Sequence, residues 1–261
     1  MIGNDNHNKS RFQWIVSLIR WLDSEAGIDA IVIDNDKRVD WFRILPLISL
    51  HLACFAVIWV GWSPVAVIAA IVLYLVRMFA ITGFYHRYFS HRAFKANRFW
   101  QFVFGVLGNA SVQRGPLWWA AHHRHHHRFA DQEQDVHSPL RHGFWWSHIG
   151  WMTSRSNFPT RYEYVKDWAR YPELRWLNRY DTVVPILLAA VLFLFGACCE
   201  AMFPQLGTNG PQMLVWGFFI STVVLLHGTV TINSFDHMFG KRRYDTPDTS
   251  RNNVLLSLIT L

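Results

Sequence analysis

Apolar residues are concentrated in four long segments, and the chain between them is mixed or polar. The four segments cover residues 44–62, 64–86, 183–203 and 213–232. Each is close to the length of about 20 residues that a helix needs to span a membrane. The first two segments meet at "WSP", and the last two are joined by "PQLGTNGPQ". The pattern therefore predicts an all-α membrane protein with four transmembrane helices in two hairpins.

The remaining parts of the chain contain no apolar segment of that length. Residues 1–43 include "RFQWIVSLIRWLD", in which the apolar positions share one helical face, as is typical of a helix lying at a membrane surface. These positions are Trp14, Ile15, Leu18, Ile19 and Leu22. Residues 87–182 carry one apolar stretch, 98–112, which is too short to cross a bilayer. We expect an N-terminal segment 1–43 and a membrane domain 44–261 in which residues 87–182 form a helical cap.

Composition and charge agree with a membrane location. The chain is 51% apolar and only 16% charged, and its net charge is +7. Lys and Arg precede the first predicted span and fill residues 87–182, whereas the connector between the last two spans contains neither. By the positive-inside rule, both termini and the cap are cytoplasmic, with the basic residues beside anionic lipid headgroups. No basic recognition motif indicates a nucleic-acid partner, and the three cysteines lie inside predicted spans, which argues against cysteine chemistry.

Histidine is strongly concentrated at one place, "WWAAHHRHHHRF". On a helix with about 100° per residue, His123, His126 and His127 share one face within an arc of about 100°, so their imidazoles can converge on one ion. His122 and His125 point away from that face.

Further histidines follow the ends of two predicted spans. His86 and His91 in "HRYFSH" come at the end of the second span, and Asn233 and His237 in "TINSFDH" come at the end of the fourth. By the predicted topology, these sets and the cluster at 122–127 lie on one side of the membrane. The lone His51 and His227 inside spans are expected to be buried, hydrogen-bonded groups. We expect structural or surface roles for three more histidines: His137, His142 and His148.

Six convergent histidines are enough for two metal ions. Imidazole binds Zn, Cu, Fe and Ni, so the ligand type alone does not identify the metal. The sequence lacks the HExxH pattern of zinc hydrolases, and we interpret the site as a redox centre of two irons that activates O2. The alternative from another class is a metal-transport protein, which would carry its polar ligands along a path through the membrane.

These motifs, in this order, resemble those of the membrane fatty-acid desaturases, and specifically the stearoyl-CoA (acyl-CoA Δ9) group. "GFYHRYFSHRAFK" resembles the first histidine box, "WWAAHHRHHHRF" the second, "DVHSPLRHGFWWSHIGWM" the connector, and "NSFDHMFGKRRYD" an additional ligand segment. The resemblance implies a diiron centre with these ligands: His86, His91, His123, His126, His127, His237 and, through a water, Asn233. It also implies a bent acyl tunnel shaped by Gln113, Trp119 and Thr229.

The resemblance further implies the reaction. An enzyme of this kind introduces a cis double bond, at Δ9, into a saturated acyl-CoA, and it uses O2 and electrons from a separate ferredoxin or cytochrome b5-like protein. The residues themselves leave the acyl carrier open among coenzyme A, acyl carrier protein and phospholipid. A hydroxylase of the same histidine-box superfamily is the nearest alternative enzyme.

The end of the sequence differs from the family pattern. In the family, the segment matching "SRNNVLLSLITL" leads into a third histidine box, whereas this sequence stops at Leu261. Because it stops within an apolar run, we expect a sequence cut short before its third box. The alternative is a product that ends there and is an inactive fragment.

Overall fold

The computed structural model of the protein describes residues 18–26, 37–243, 245 and 249–261. These residues form helices and turns, with no β-strand beyond two isolated bridges, Val39 to Ser154 and Lys241 to Asn252. Of the helix expected at the membrane surface, residues 18–22 are helical, and residues 11–17 lie outside the described part.

Eight helices of seven or more residues organise the described chain. They are α1 (Leu45–Cys54), α2 (Pro64–Phe79, continued by wide turns over Ala80–Ser90), α3 (Arg98–Asn109), α4 (Pro116–Phe129), α5 (Pro172–Arg179), α6 (Val183–Met202), α7 (Gly210–His237) and α8 (Val254–Thr260). Shorter helical turns cover Val57–Val60, Pro139–His142, Phe144–His148, Gly150–Thr153, Arg155–Asn157, Tyr162–Tyr164, Lys166–Ala169 and Pro204–Leu206.

Three of the described helices are long and apolar enough to cross a membrane. They are Pro64–Ser90, Val183–Met202 and Gly210–His237, with mean hydropathies of 2.4, 2.4 and 1.8. The predicted first span corresponds to Leu45–Val60, which is a shorter apolar helix interrupted by a turn after Cys54. Four spans, the two hairpins and the cytoplasmic side of the cap therefore stay predictions.

Side-chain caps explain where several helices begin. The Ser63 hydroxyl accepts a hydrogen bond from the backbone N–H of Ala66 at the start of α2, and Pro64 occupies the first turn. Asn97 caps α3 in the same way, and Asn209 caps α7. Such caps satisfy backbone N–H groups that have no partner inside the helix. The polar residues Ser63, Asn97 and Asn209 therefore determine where α2, α3 and α7 begin.

The second half of α2 is wound more widely than an α-helix. Over Ala80–Ser90 the backbone is π-helical, and just beyond it the N–H of His91 donates to the carbonyl of His86, 3.1 Å away. In an α-helix, residues five apart point about 140° away from each other. A turn closed by a bond over five residues brings them above one another. The helix consequently runs four residues beyond the predicted end at residue 86 and aligns His86 with His91.

Two of the apolar clusters in the described chain hold the long helices together. One packs α2, α6 and α7 around Ala66, Leu192, Met213 and Phe218. The other, around Tyr85, Phe89, Leu117, Ala120 and Leu174, joins the end of α2 to α4 and α5. Because the second core fixes the histidine-bearing helix α4 against the end of α2, it determines where the histidines meet.

The lone histidines of the predicted spans form a hydrogen-bonded chain. Nε2 of His51 lies 3.1 Å from Nε2 of His227, and Nδ1 of His227 lies 3.0 Å from Nε2 of His148. His51 Nδ1 is 2.8 Å from the Leu47 carbonyl, and His148 Nδ1 is 2.9 Å from the Ser234 hydroxyl. Since a carbonyl can only accept, it fixes the tautomer of His51 and hence, for neutral rings, of all three histidines. Each is hydrogen-bonded, as expected for His51 and His227, although these two are half-buried and only His148 is buried.

Replacing His227 with leucine is expected to destabilise the protein. The change leaves Nε2 of both His51 and His148 without a partner, and an unsatisfied buried polar group costs about 1–3 kcal/mol. For a protein of this size, we expect the melting temperature in detergent to fall by roughly 2–4 °C for each kcal/mol lost. The control is Val224→Leu, at a position on α7 that is 53% exposed. An equal melting temperature for both variants would contradict a stabilising role for the chain.

Candidate metal centre

Four histidines from two helices meet at the end of α2. His86 and His91 come from its last turn, and His123 and His127 come from successive turns of α4. Nε2 of His91 lies 3.0 Å from Nε2 of His86 and 3.1 Å from Nε2 of His123. Nε2 of His127 lies 2.9 Å from Nε2 of His123. All four rings therefore present the same nitrogen to one point.

This arrangement fits a metal ion. Separations of about 3 Å are typical of ligand nitrogens around one ion when each metal–nitrogen bond is about 2.0–2.1 Å. Burial lowers the pKa of His123 well below its ordinary value, and the neighbouring histidines lower it further. Burial, followed by the charge of Arg124, also lowers the pKa of His91. These rings are therefore neutral at pH 7, which is the form of imidazole that binds a metal.

A second group of possible ligands lies beside the first. It contains His126, Asp135 and His137, whose ligand atoms lie within 4.8 Å of one another. Nδ1 of His126 is 3.0 Å from Oδ2 of Asp135, and Nδ1 of His137 is 3.4 Å from Oδ1 of Asp135. The ring of His237 is 5.9 Å from that of His126, measured between centroids. Residues from α4, the following loop and the end of α7 thus converge.

Two buried carboxylates orient the histidines of this second group. Asp135 accepts hydrogen bonds from the backbone N–H groups of Asp131 and His137 and faces Nδ1 of His126. Burial alone would raise the pKa of Asp135, but the hydrogen bond from His126 and the charges of His137 and His126 lower it to about 2. Asp131 lies 3.5 Å from Nδ1 of His237. A carboxylate at Nδ1 leaves Nε2 of each histidine for an ion, as in many metal sites.

The structure divides the three histidines that we expected to converge on one ion. His123 and His127 face His86 and His91, whereas His126 turns to Asp135. On an α-helix, His126 lies about 60° to one side of His123 and His127 about 40° to the other. One helical face therefore serves two neighbouring groups rather than one.

The structure also places two further side chains beside His126. Asp135 has no role in the sequence analysis, and His137, for which we expect a structural or surface role, is buried next to it. The pattern "DQEQDVH" directly after the histidine helix was a signal, because carboxylates commonly orient metal-binding histidines. His122 and His125 point away from both groups, as expected, and pack near Trp151 and Tyr164.

A cavity reaches the first histidine group. Its wall includes Gln113, Trp119, Thr229 and Asn233 together with His123. The Trp119 ring stacks on that of His123 at 4.9 Å between centroids. Nε2 of Gln113 donates to the Thr229 hydroxyl at 2.8 Å, and this hydroxyl also donates to the Leu225 carbonyl of its own helix. All three residues predicted to shape the tunnel therefore lie in one cavity wall.

The same cavity has a basic part. Arg20, Arg43 and Arg114 line it, and Asp181 is the one carboxylate among the described lining residues. Burial lowers the pKa of Arg43 to about 9, and the charges of Arg114 and Arg20 contribute to the decrease. Nε of Arg114 lies 3.3 Å from Oδ2 of Asp181. This part of the wall therefore carries excess positive charge.

Comparison with known proteins gives a consistent result. Residues 37–261 match the family described as Fatty acid desaturase. An acyl-CoA 5-desaturase from Anemone leveillei is 32% identical over 252 residues, which cover 91% of this chain and 74% of that protein. An sn-1 stearoyl-lipid 9-desaturase from Anabaena variabilis is 33% identical over 228 residues, covering 85% of this chain and 78% of that protein.

Another similar protein acts on a different lipid. A palmitoyl-monogalactosyldiacylglycerol delta-7 desaturase from Arabidopsis thaliana is 33% identical over 225 residues, covering 83% of this chain and 56% of that protein. The names of these three relatives thus differ in both the acyl carrier and the position of the double bond.

Replacing His123 with glutamine is expected to abolish metal binding by the first group, because Nε2 of this ring lies 3.1 Å from Nε2 of His91 and 2.9 Å from Nε2 of His127. The measurement is metal per chain, by mass spectrometry of purified protein. His125→Gln is the matched control, since it changes the same residue type on the opposite face of α4. Equal metal loss in both variants would show that helix damage, and not ligand loss, causes the effect.

Replacing Asp135 with asparagine is expected to weaken metal retention about 10–100-fold, the usual effect of removing a carboxylate that orients a metal-binding histidine. Metal remaining after dialysis against graded chelator measures this change. The control is Glu173→Gln, which removes a carboxylate paired with Arg98, away from both histidine groups. Retention equal to that of the unchanged protein would mean that Asp135 does not orient a ligand.

Proposed function

Because the chain belongs to the fatty acid desaturase family, we propose that it introduces a cis double bond at Δ9 into a saturated acyl chain carried on coenzyme A. Family membership supports acyl desaturation, and the bond position and the carrier are the proposal. The observation that carries it is the cavity wall in which Trp119 stacks on His123, because it brings an apolar substrate channel directly to candidate metal ligands.

In this proposal the histidines would be divided between two irons. His86, His91, His123 and His127 would hold one ion. His126 and His237, with Asn233 through a water, would hold the other, and Asp135 and Asp131 would orient the two histidines through Nδ1. Bound irons supply the activation of O2. Family membership supports iron as the metal, and the donor set is compatible with it, since imidazole suits iron and the described ligand groups contain no cysteine.

The proposed reaction balances as follows. One –CH2–CH2– pair, O2, two electrons and two protons give one –CH=CH– pair and two waters. The carbon pair is oxidised and O2 is reduced. A separate ferredoxin or cytochrome b5-like protein would supply the electrons. The protein itself binds the chain in a largely apolar cavity, excludes water and fixes the carbon pair relative to the histidines.

The position of the double bond would depend on the shape of the cavity. Methylenes along a saturated chain are chemically almost identical, so only their placement can distinguish them. Trp119 and the bonded pair Gln113 and Thr229 form a rigid polar and aromatic part of an otherwise apolar wall. These side chains would force the acyl chain to bend beside the metal ligands.

The basic wall supports coenzyme A as the carrier. Arg20, Arg43 and Arg114 offer guanidinium groups to the phosphates or carbonyls of a carrier, and guanidinium binds phosphate oxygens well. Relatives that act on lipids make an acyl-lipid substrate the main alternative.

The lengths of the helices support a membrane enzyme. We further propose four spans, with both termini and the histidines on the cytoplasmic side, as the distribution of Lys and Arg indicates.

The direct test is product analysis. We expect membranes from cells that express the full gene to convert isotope-labelled stearoyl-CoA into oleoyl-CoA when O2 and a reducing partner are supplied. His127→Ala is expected to abolish the product, whereas His125→Gln should retain most of it. A labelled alcohol in place of the alkene would support a hydroxylase. Conversion only of labelled phospholipid would replace coenzyme A by a lipid carrier.

A further inference from the structure

The turn between α3 and α4 has an unusual backbone. Val112 and Arg114 have φ values of 60° and 70°, in the left-handed region that favours glycine. For a β-branched residue such as valine this conformation is rare and costs free energy. Gln113, which donates to Thr229 in the cavity wall, lies between these two residues. The surrounding structure must therefore stabilise this backbone conformation, which Val112 and Arg114 would not favour by themselves.

Two residues of α2 hold this turn. The Tyr85 hydroxyl donates to the carbonyl of Arg114 at 3.1 Å. Nη1 of Arg77 donates to the carbonyl of Ala110 at 3.3 Å, and the Ser111 hydroxyl donates to the carbonyl of Arg77 at 3.2 Å. These three bonds therefore fix the turn on both sides of Gln113, and all of them connect it to α2.

Arg77 also connects this turn to α7. Its guanidinium is buried and donates to the Thr222 hydroxyl at 2.7 Å and to the Ser221 hydroxyl at 2.6 Å. Thr229 lies seven residues beyond Thr222, which is about two turns along the same side of the helix. One side chain thus sets the relative position of the two elements that carry Gln113 and Thr229.

The packing of Tyr85 makes its position equally well defined. Its ring lies against Gly108 of α3, where an added Cβ would meet a ring atom at 2.0 Å. The side chain is fully buried in the core that joins α2 to α4. The hydroxyl therefore reaches Arg114 from a fixed ring and not from a mobile one.

We propose that Arg77 and Tyr85 are positioning residues that determine where the acyl chain bends, and hence which carbon pair faces the histidines. The inference rests on the proposed desaturase function. Neither residue lines the cavity among the described lining residues, so both act through Gln113. If the turn relaxes, Gln113 moves away from Thr229, and the bend is no longer held at one carbon pair.

The test is the position of the double bond in the product of Tyr85→Phe. This change keeps the ring against Gly108 and removes only the bond to Arg114. We expect neighbouring double-bond isomers to rise from trace amounts to at least a tenth of the product, with metal per chain unchanged. Mass spectrometry of derivatised products measures the isomers. Tyr88→Phe is the matched control, because its hydroxyl faces Gln101 and not the turn.

A second substitution tests the role of the strained backbone. Glycine adopts positive φ without the steric cost of valine. In the double variant Tyr85→Phe with Val112→Gly, the turn has less tendency to leave its shape, and we expect the single isomer to be largely restored. A residue that only stabilised the fold would not show this rescue, since removing valine contacts would add to the damage.

The outcomes separate this inference from the proposed function. A single isomer from Tyr85→Phe at normal metal content overturns the inference. If the unchanged protein makes no alkene, the proposed function fails. Hydrogen exchange of residues 110–116 in metal-free protein then still tests whether Tyr85 holds the turn. Exchange in Tyr85→Phe that is slower than, or equal to, that in the unchanged protein would overturn the inference. If that variant does not accumulate, Arg77→Lys is used, since one ammonium cannot bridge Ala110, Ser221 and Thr222 in the same geometry.

Discussion

The central constraint in this structure is the convergence of several imidazole nitrogens on one point at the ends of apolar helices. Nε2 atoms about 3 Å apart cannot all be protonated, because the N–H groups and charges would repel one another. Burial lowers the pKa of His123 and so favours its neutral form, which is the form of imidazole that binds a metal. A bound metal ion would resolve the convergence, since it would bind the lone pair of every ring. The apolar core around Tyr85, Phe89 and Leu117 matters because it holds the two histidine-bearing helices at this distance.

A second constraint follows from the apolar surroundings. A polar group inside such helices needs a partner within the protein. His51, His227 and His148 satisfy one another in a chain that ends on a carbonyl and a hydroxyl. The guanidinium of Arg77 is satisfied by two hydroxyls and by backbone carbonyls. These bonds connect α2 and α7 with the segments that border the cavity. The same polar groups that a membrane makes costly therefore help to fix the shape of the cavity wall.

The two histidine groups and the cavity have different tasks in the proposed reaction. The histidines, with bound iron, would provide reactivity that is indifferent to which methylene is attacked. The cavity would determine which methylene pair reacts, because Gln113, Trp119 and Thr229 would limit how an acyl chain can lie beside His123. This division explains how proteins with similar sequences can differ in double-bond position and acyl carrier, as the names of the relatives do. Small changes in the supporting side chains can move the bend and leave the metal ligands in place.

The sequence was sufficient to predict the helical class, three of the long apolar helices, the histidine face of α4 and the turning of His122 and His125 away from that face, because helical periodicity and apolar length are local properties. It did not determine the wide turns that align His86 with His91, because an α-helical reading places residues five apart on different faces. It also could not divide His126 from His123 and His127, or bring Asp135 and His137 to His126. These features depend on which side chains meet when α2, α4, the following loop and α7 pack together. Such contacts form only when the chain folds, because local periodicity does not specify which helices and loops pack against one another.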